Sequence, residues 1–356
     1  MDREMVMKLG TSLAVPSVQE LAKQPITKVP EQYVRPNQEP PVISNTTSLP
    51  QVPVIDFNKL FSDDGVELEK LDHACKEWGF FQLINHGVNH SLVEKMKMDV
   101  QKFFNLPKDE KKVFAQKPGE MEGLGQMFIA SEETKLEWAD LFLIVTLPEN
   151  IRNPHLFPNL PQPFRDHLER YALELKNLYV SILELMAKAL KFQPSELPEL
   201  FEEGGQAMRM NYYPPCPQPE KVMGLNPHSD NSILTLLLQV NEIVGLEVRK
   251  GGRWVPIKPL PNAFIINVGD ALEIMTNGIY RSIEHRATAN SVKERISIAT
   301  FQSPRLNAFI GPASSLVTSE RPAMFNKISV EEFYKGYFSD MLQGKSHINA
   351  LRNKNE

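Results

Sequence analysis

Pro227-His228-Ser229-Asp230 begins a stretch that runs to Phe301, contains one further histidine, His285, and organises the rest of the chain. A histidine and an aspartate two positions apart project from the same side of an extended strand. Two imidazoles and one carboxylate can hold one face of a non-haem Fe(II) ion and leave the other face open. An ordinary capping aspartate beside a buried histidine is the alternative. We predict that His228, Asp230 and His285 bind Fe(II).

The segment before His285 alternates between apolar and polar side chains. Ile279, Ile283 and His285 share one phase, and Glu284 and Arg286 belong to the other. This alternation is typical of a strand with one buried face. We therefore expect a strand over residues 279–286 in which His285 points inward as the third metal ligand.

The next strand carries polar side chains on one face. Ile296 and Ile298 occupy one phase, whereas Arg295, Ser297 and Phe301 occupy the other. A guanidinium and a hydroxyl about 7 Å apart along a strand suit a carboxylate that accepts several hydrogen bonds. A salt bridge at the start of the strand is the alternative for the arginine. We predict an anion clamp, and hence a co-substrate that is both a chelator and a carboxylate.

These motifs together resemble those of the plant iron(II)/2-oxoglutarate-dependent dioxygenases, within the wider isopenicillin-N-synthase-like group. The opening Val15-Pro16-Ser17-Val18-Gln19-Glu20-Leu21 looks like the senescence-related and alkaloid O-demethylase-like subgroup. Further matching segments are Asn211-Tyr212-Tyr213-Pro214-Pro215-Cys216-Pro217, Asn277-Gly278, Trp78-Gly79-Phe80-Phe81 and Asn85-His86-Gly87.

The resemblance implies the cofactors and the reaction. Fe(II) is the metal, 2-oxoglutarate and dioxygen are co-substrates, and ascorbate is the expected reductant. The 2-oxoglutarate is decarboxylated to succinate while a small plant specialised metabolite (an alkaloid, phenylpropanoid or terpenoid) is hydroxylated. When the hydroxylated carbon belongs to an O-methyl group, the product loses formaldehyde, and the net reaction is O-demethylation.

The resemblance also assigns roles around the metal, and beyond the iron ligands it implies no catalytic residue. Tyr213 is expected to reach the second carboxylate of 2-oxoglutarate, with Asn211 beside it; packing of the strand is the alternative. Three further candidates come from positions in the sequence rather than from the resemblance. Phe301 shares the inward phase of Arg295 and Ser297, so it is a candidate stacking wall for an aromatic substrate, although core packing explains it nearly as well. Phe128 is expected to shape the mouth of the site. Arg209 is expected to meet a polar group of the substrate, or only solvent.

Composition narrows the classes of partner. The chain has 356 residues, 42% of them hydrophobic and 23% charged, with a net charge of −5 and a pI near 6.0. This balance argues against a nucleic-acid or anionic-membrane partner. Two cysteines, Cys75 and Cys216, form no disulfide framework, which fits a reducing compartment. We expect a cytosolic monomer that acts on a small hydrophobic or aromatic metabolite.

Helical patterns early in the chain and short strands late indicate an α+β fold. The resemblance implies a double-stranded β-helix, or jelly-roll, core with flanking N-terminal helices and a C-terminal helix. We divide the chain into an N-terminal extension (1–50), a mixed helical region that contributes strands to the core (51–200), the dioxygenase core (201–310) and a C-terminal helical segment (311–356).

Three local patterns give more specific expectations. Apolar spacing predicts a long helix over Phe164–Leu190. Asp270 with Glu273, and Ser329 with Glu332, have the spacing of capping boxes that begin helices.

Two other functions are compatible with the same residues. One is an Fe(II) oxidase of the same fold that does not use 2-oxoglutarate, and succinate formation distinguishes it from the first hypothesis. The other is a non-catalytic small-molecule binding module that has kept the fold. A missing ligand would be typical of such a module, whereas here every ligand position is filled.

Overall fold

A computed structural model of the protein describes residues 13–36, 38–42, 50–118, 120–126, 129, 131, 133–191, 204–342 and 347–353. The strands are β1 (Val54–Asp56), β2 (Phe80–Ile84), β3 (Gly123–Gly125), β4 (Asp140–Leu147), β5 (Gly205–Tyr213), β6 (Leu225–His228), β7 (Leu234–Gln239), β8 (Leu246–Lys250), β9 (Arg253–Pro256), β10 (Phe264–Val268), β11 (His285–Ala287), β12 (Arg295–Ser303), β13 (Phe309–Ile310) and β14 (Ile328–Ser329).

The helices are α1 (Val18–Ala22), α2 (Val66–Glu77), α3 (His90–Phe104), α4 (Lys108–Lys111), α5 (Phe164–Leu190), α6 (Asp270–Met275), α7 (Val330–Leu342) and α8 (His347–Ala350). Short 3₁₀ turns lie at Glu31–Tyr33, Phe57–Phe61, Lys112–Phe114, Glu149–Ile151, Phe157–Asn159, Pro219–Lys221 and Ser314–Leu316. No helix in these described ranges is long and apolar enough to cross a bilayer.

Two sheets form the jelly-roll core. The large sheet has eight strands in the order β1-β2-β10-β7-β12-β5-β4-β3, and the small sheet has four in the order β6-β11-β8-β9. Strands from both halves of the chain share the large sheet, because β2 pairs with β10 and β4 pairs with β5. The α+β jelly-roll prediction is confirmed, whereas the four segment boundaries stay a prediction.

The two faces of the large sheet have different chemistry. One face carries apolar side chains such as Leu236, Ile298 and Met210, which pack in one core with Leu175 and Ile182 of α5. Burying a side chain of this size contributes about 1.5–3 kcal/mol. The opposite face looks toward the small sheet and, among its apolar side chains, carries the polar residues of the predicted site. The helices therefore cover one face and leave the other to form the interior.

The N-terminal segment is fixed to the large sheet through Asp140. The carboxylate of Asp140 accepts hydrogen bonds from the backbone N–H groups of Val18 (2.9 Å) and Gln19 (3.1 Å), and from the Ser17 hydroxyl. The N–H groups in the first turn of a helix have no partner within the helix. In α1, two of them donate to a side chain of β4.

Several local predictions can be compared with the structure. Helix α5 has the predicted bounds. Ser329 caps α7 as predicted, because its Oγ accepts from the Glu332 N–H (3.2 Å), but the Glu332 carboxylate accepts from the Ser329 hydroxyl (2.7 Å) instead of the backbone N–H of a full capping box. The Asp270 box is wrong, because Gly269 is the N-cap and Asp270 is already helical. Both carboxylates instead accept hydrogen bonds from residues outside the helix: Asp270 accepts from Ser229 Oγ, and Glu273 accepts from the Ser282 N–H.

The strand predicted over residues 279–286 is also wrong in length. Only His285–Ala287 form a strand, and Ile279 belongs to the turn that follows α6. Tyr280, which has the same phase as Glu284 and Arg286, is fully buried, and its hydroxyl donates to Asp72 Oδ1 (3.0 Å). The backbone N–H groups of residues 279, 281 and 282 donate to Thr276, Cys75 and Glu273, so they are not available to a strand ladder.

Candidate metal centre and co-substrate site

Three side chains from two neighbouring strands converge at the open end of the small sheet. His228 ends β6, Asp230 follows two residues later, and His285 begins β11 directly opposite His228 in the antiparallel pair. One ligand atom from each residue lies within 4.8 Å of the others. Asp230 Oδ1 is 3.4 Å from His228 Nε2 and 3.6 Å from His285 Nε2. The structure therefore brings the predicted triad together.

Both imidazoles are oriented by backbone carbonyls. His228 Nδ1 lies 2.7 Å from the carbonyl of Asn226, and His285 Nδ1 lies 3.1 Å from that of Ile283. A carbonyl only accepts, so each Nδ1 carries the proton and each Nε2 presents a lone pair. His228 Nε2 is buried and has no hydrogen-bond partner among the described residues. Two such nitrogens facing one carboxylate oxygen fit a divalent metal ion.

The aspartate is held by two donors on the large sheet. Its Oδ2 accepts from Thr235 Oγ1 (2.6 Å) and from Asn267 Nδ2 (2.8 Å), which leaves Oδ1 to face the imidazoles. Burial acts to raise the pKa of Asp230, but His285, His228 and the Thr235 hydroxyl together hold it well below its usual range. Burial, with His228, lowers the pKa of His285 to about 4. The triad is thus an anionic carboxylate beside a neutral His285.

The predicted anion clamp lies deeper between the sheets. Arg295 and Ser297 in β12 pair with Tyr213 and Asn211 of β5, and the four side chains lie on the interior face. The Arg295 side chain is 1% exposed, its guanidinium lies 5.1 Å from the Tyr213 ring centroid, and it donates to the Gln239 amide oxygen.

No carboxylate among the described residues pairs with Arg295, and its Nε has no hydrogen-bond partner there. Burial lowers the pKa of Arg295, and Tyr213 opposes this effect. A buried guanidinium without a counter-ion is costly, which fits a site that receives an anionic ligand.

One cavity joins the clamp to the triad. Its lining includes Asp230 and His285 at one end and Arg295 and Ser297 at the other. Gly245 lies against Arg295 so closely that an added Cβ would be 2.7 Å from its Cδ. A dicarboxylate that reaches from the metal to the guanidinium would lie along this cavity.

A second, larger cavity of about 200 Å³ opens on the other side of the triad. Its walls come from β4, β5 and β12 and from Tyr334, Tyr337 and Phe338 of α7. Phe301 and Arg209 line both cavities, with the guanidinium 5.5 Å from the Phe301 ring centroid. Both residues therefore lie in the walls of the cavities that adjoin the triad. Phe128, predicted to shape the mouth, lies outside the described residues.

The sequence reasoning missed the residues that support the ligands. Thr235 and Asn267 are directly opposite one another in β7 and β10, where both bind Asp230. Asn267 is the one polar residue of the apolar strand β10, and Thr235 is one of two in β7, so this signal could have identified them. Gln239 and Glu137 were missed too, and no spacing or motif distinguishes Glu137.

Comparisons with known proteins agree with this geometry. A family model described as the 2OG-Fe(II) oxygenase superfamily matches residues 204–304. A second, described as non-haem dioxygenase in morphine synthesis N-terminal, matches residues 52–160.

The similar proteins align over nearly the whole chain. Oxoglutarate-dependent flavonoid 7-O-demethylase 1 of Ocimum basilicum is 54% identical, over 98% of this chain and 93% of its own. Codeine O-demethylase of Papaver somniferum is 50% identical, over 99% of this chain and 100% of its own. Protein SRG1 of Arabidopsis thaliana is 52% identical, over 96% and 97%. The crystal structure of JOX2 in complex with 2OG, Fe and JA superposes with a TM-score of 0.87, at 32% identity, covering 96% of this chain and 99% of that one.

Proposed function

Because the chain belongs to the 2OG-Fe(II) oxygenase superfamily, we propose that its His228, Asp230 and His285 hold the catalytic Fe(II). The observation that carries this assignment is the convergence of two Nε2 atoms and one carboxylate oxygen, each oriented by a hydrogen bond on its far side. Because these hydrogen bonds fix the orientation of each side chain, the three ligands keep their geometry while co-substrate and oxygen exchange on the open face of the metal.

We further propose that Arg295 and Ser297 bind the far carboxylate of 2-oxoglutarate. Arg295 supplies a buried positive charge, and Gln239 together with the Tyr213 ring fixes the guanidinium plane. Ser297 and Asn211 add hydrogen-bonding groups on the same interior face, 3.4 Å apart. The roles of Tyr213 and Asn211 toward the co-substrate remain proposals of this kind.

The protein is a 2-oxoglutarate-dependent dioxygenase, and the bound Fe(II) supplies the power to oxidise a C–H bond. One C–H bond becomes C–OH, and 2-oxoglutarate loses carbon dioxide to give succinate. The two atoms of dioxygen end in the new hydroxyl and in succinate. The residues of the chain orient both reactants and exclude water from the cavity.

We propose O-demethylation of a small aromatic plant metabolite as the reaction. The flavonoid and codeine relatives carry O-demethylase in their names, and the apolar cavity beside the triad suits an aromatic methyl ether. Phe301 is proposed as its stacking wall and Arg209 as a polar contact. The relatives named for 2-oxoglutarate favour this function over the Fe(II) oxidase, and the complete ligand set favours it over a binding module.

A coupled assay tests the reaction. The enzyme with Fe(II), ascorbate and oxygen should release one succinate and one formaldehyde for each O-methyl group removed from methoxylated flavones or alkaloids. Succinate without formaldehyde would indicate hydroxylation instead. Bound iron with no succinate under any substrate would contradict the function.

A cytosolic compartment and a monomeric state also remain proposals. Both cysteines are buried and free, which agrees with a reducing compartment. Cell fractionation and light scattering on the purified protein test them, and a stable dimer would contradict the second.

A further inference from the structure

Glu137 is a charged side chain in the wall of the large cavity. It lies just before β4, between the buried residues Leu136 and Trp138. Its Oε1 accepts a hydrogen bond from the Asn226 backbone N–H (2.9 Å). Its other oxygen has no hydrogen-bond partner within the described part of the chain. One oxygen of this carboxylate therefore remains able to accept a hydrogen bond.

The position of Glu137 is tied to the metal ligands through a single residue. Asn226 donates its N–H to Glu137, and its carbonyl lies 2.7 Å from His228 Nδ1. The carboxylate thus belongs to the part of the cavity that adjoins the triad. A group bound by Glu137 would place the neighbouring part of the same molecule close to the metal.

Two guanidinium groups act on this carboxylate. Burial raises the pKa of Glu137, whereas the Asn226 N–H, Arg209 and Arg35 act in the opposite direction. Arg209 also lines the cavity and forms no ion pair with any described carboxylate. The other acidic side chain of the wall outside the triad, Glu122, accepts from the Val145 N–H (2.8 Å). Glu137 and Arg209 carry opposite single charges, so together they offer the cavity one hydrogen-bond acceptor and one donor.

The rest of the wall is mainly apolar. Leu143, Val145 and Leu225 cover one side, and Phe301 and Phe338 supply aromatic rings. Such walls suit a flat hydrophobic body, and a few placed polar groups then fix its orientation.

We propose that Glu137 is a specificity-determining residue that accepts a hydrogen bond from a hydroxyl of an uncharged aromatic substrate, while Arg209 donates to an oxygen of the same molecule. This inference rests on the proposed function and narrows it, because it selects hydroxylated neutral aromatics over ammonium-bearing alkaloids. An ammonium at Glu137 would gain one attraction but would approach the Arg209 guanidinium, and like charges in a cavity are unfavourable.

Binding without turnover tests the proposal. The enzyme loaded with Fe(II) and 2-oxoglutarate is titrated calorimetrically without oxygen with three probes: a methoxyflavone with free hydroxyls, the same flavone fully methylated, and thebaine. Glu137→Gln keeps an amide oxygen for the Asn226 N–H but removes the charge. We expect it to weaken binding of the hydroxylated flavone about tenfold to a hundredfold and to leave the methylated flavone unchanged. Thebaine should bind more weakly than the hydroxylated flavone to the wild type.

Glu122→Gln is the matched control, since it removes the same charge from the same cavity and keeps an acceptor for Val145. It should leave all three affinities within about twofold, below the effect of one hydrogen bond. A purely structural role for Glu137 would weaken both flavones equally and raise the Fe(II) requirement, and that result would overturn the proposal. So would tight thebaine binding that Glu137→Gln abolishes. Failure of the proposed function is seen separately, as a wild type that binds no 2-oxoglutarate.

Discussion

Replacing Thr235 by valine should weaken iron binding although Thr235 is not itself a ligand. Valine has nearly the shape of threonine, so the change removes the 2.6 Å hydrogen bond to Asp230 Oδ2, and the 3.0 Å hydrogen bond between Thr235 Oγ1 and Ser232 Oγ, with little change in packing. Asn267 then remains as the donor to that oxygen. A hydrogen bond to a charged group contributes about 1.5–3 kcal/mol, and loss of such an outer partner costs about 10–100-fold in metal affinity.

Thr300→Val is the matched control for that experiment. Thr300 is also fully buried on the large sheet, but its Oγ1 has no hydrogen-bond partner among the described residues. Apo forms of the wild type and both variants are titrated with Fe(II) without oxygen, in competition with a chromogenic chelator. We expect a dissociation constant raised about 10–100-fold for Thr235→Val and an unchanged one for Thr300→Val. Equal affinities in all three proteins would refute the role assigned to Thr235.

Three further changes test the clamp and the wall of the cavity. Arg295→Gln removes the charge that faces the co-substrate, so it should raise the 2-oxoglutarate KM by the equivalent of about 2–5 kcal/mol and leave the Fe(II) requirement unchanged. An unchanged KM would exclude the clamp. Gly245→Ala places a methyl group 2.7 Å from Arg295 Cδ, so it should raise the 2-oxoglutarate KM without altering the Fe(II) affinity measured by titration. Full 2-oxoglutarate affinity in this variant would show that Arg295 moves freely. Ser329→Ala removes the cap of α7 and should cost about 1 kcal/mol in urea unfolding, whereas no loss would mean that Glu332 and the packing of the helix suffice.

The parts of the site that follow from alternation along one strand could be predicted from the sequence. Arg295 and Ser297 share a phase of β12, and Asn211 and Tyr213 share a phase of β5, so each pair could be placed on one face of its own strand before the two strands were known to pair. The triad followed from the chemistry of the ligands, because two histidines and one aspartate with this spacing suit few other roles.

Features that depend on contacts distant in sequence could not be predicted. Asp270 and Glu273 have the spacing of a capping box, but Ser229 and Ser282 compete for their carboxylates, and that competition is visible only in the folded chain. Glu137 gives no local signal, since its importance arises from the approach of Asn226 to one of its oxygens. The jelly roll was likewise implied by the resemblance rather than by periodicity, and the order of strands in the large sheet was not predicted.

The most direct test of the account is the visible charge-transfer absorption of the Fe(II) protein when 2-oxoglutarate is added without oxygen. This band requires that the co-substrate chelate the iron, so it reports on the metal and on the cavity together. The account predicts the band at one iron and one 2-oxoglutarate per chain in the wild type, and its loss in the double variant His228→Ala/His285→Ala. The same band in that variant, or its absence from an iron-loaded wild type, would contradict the assignment of the site.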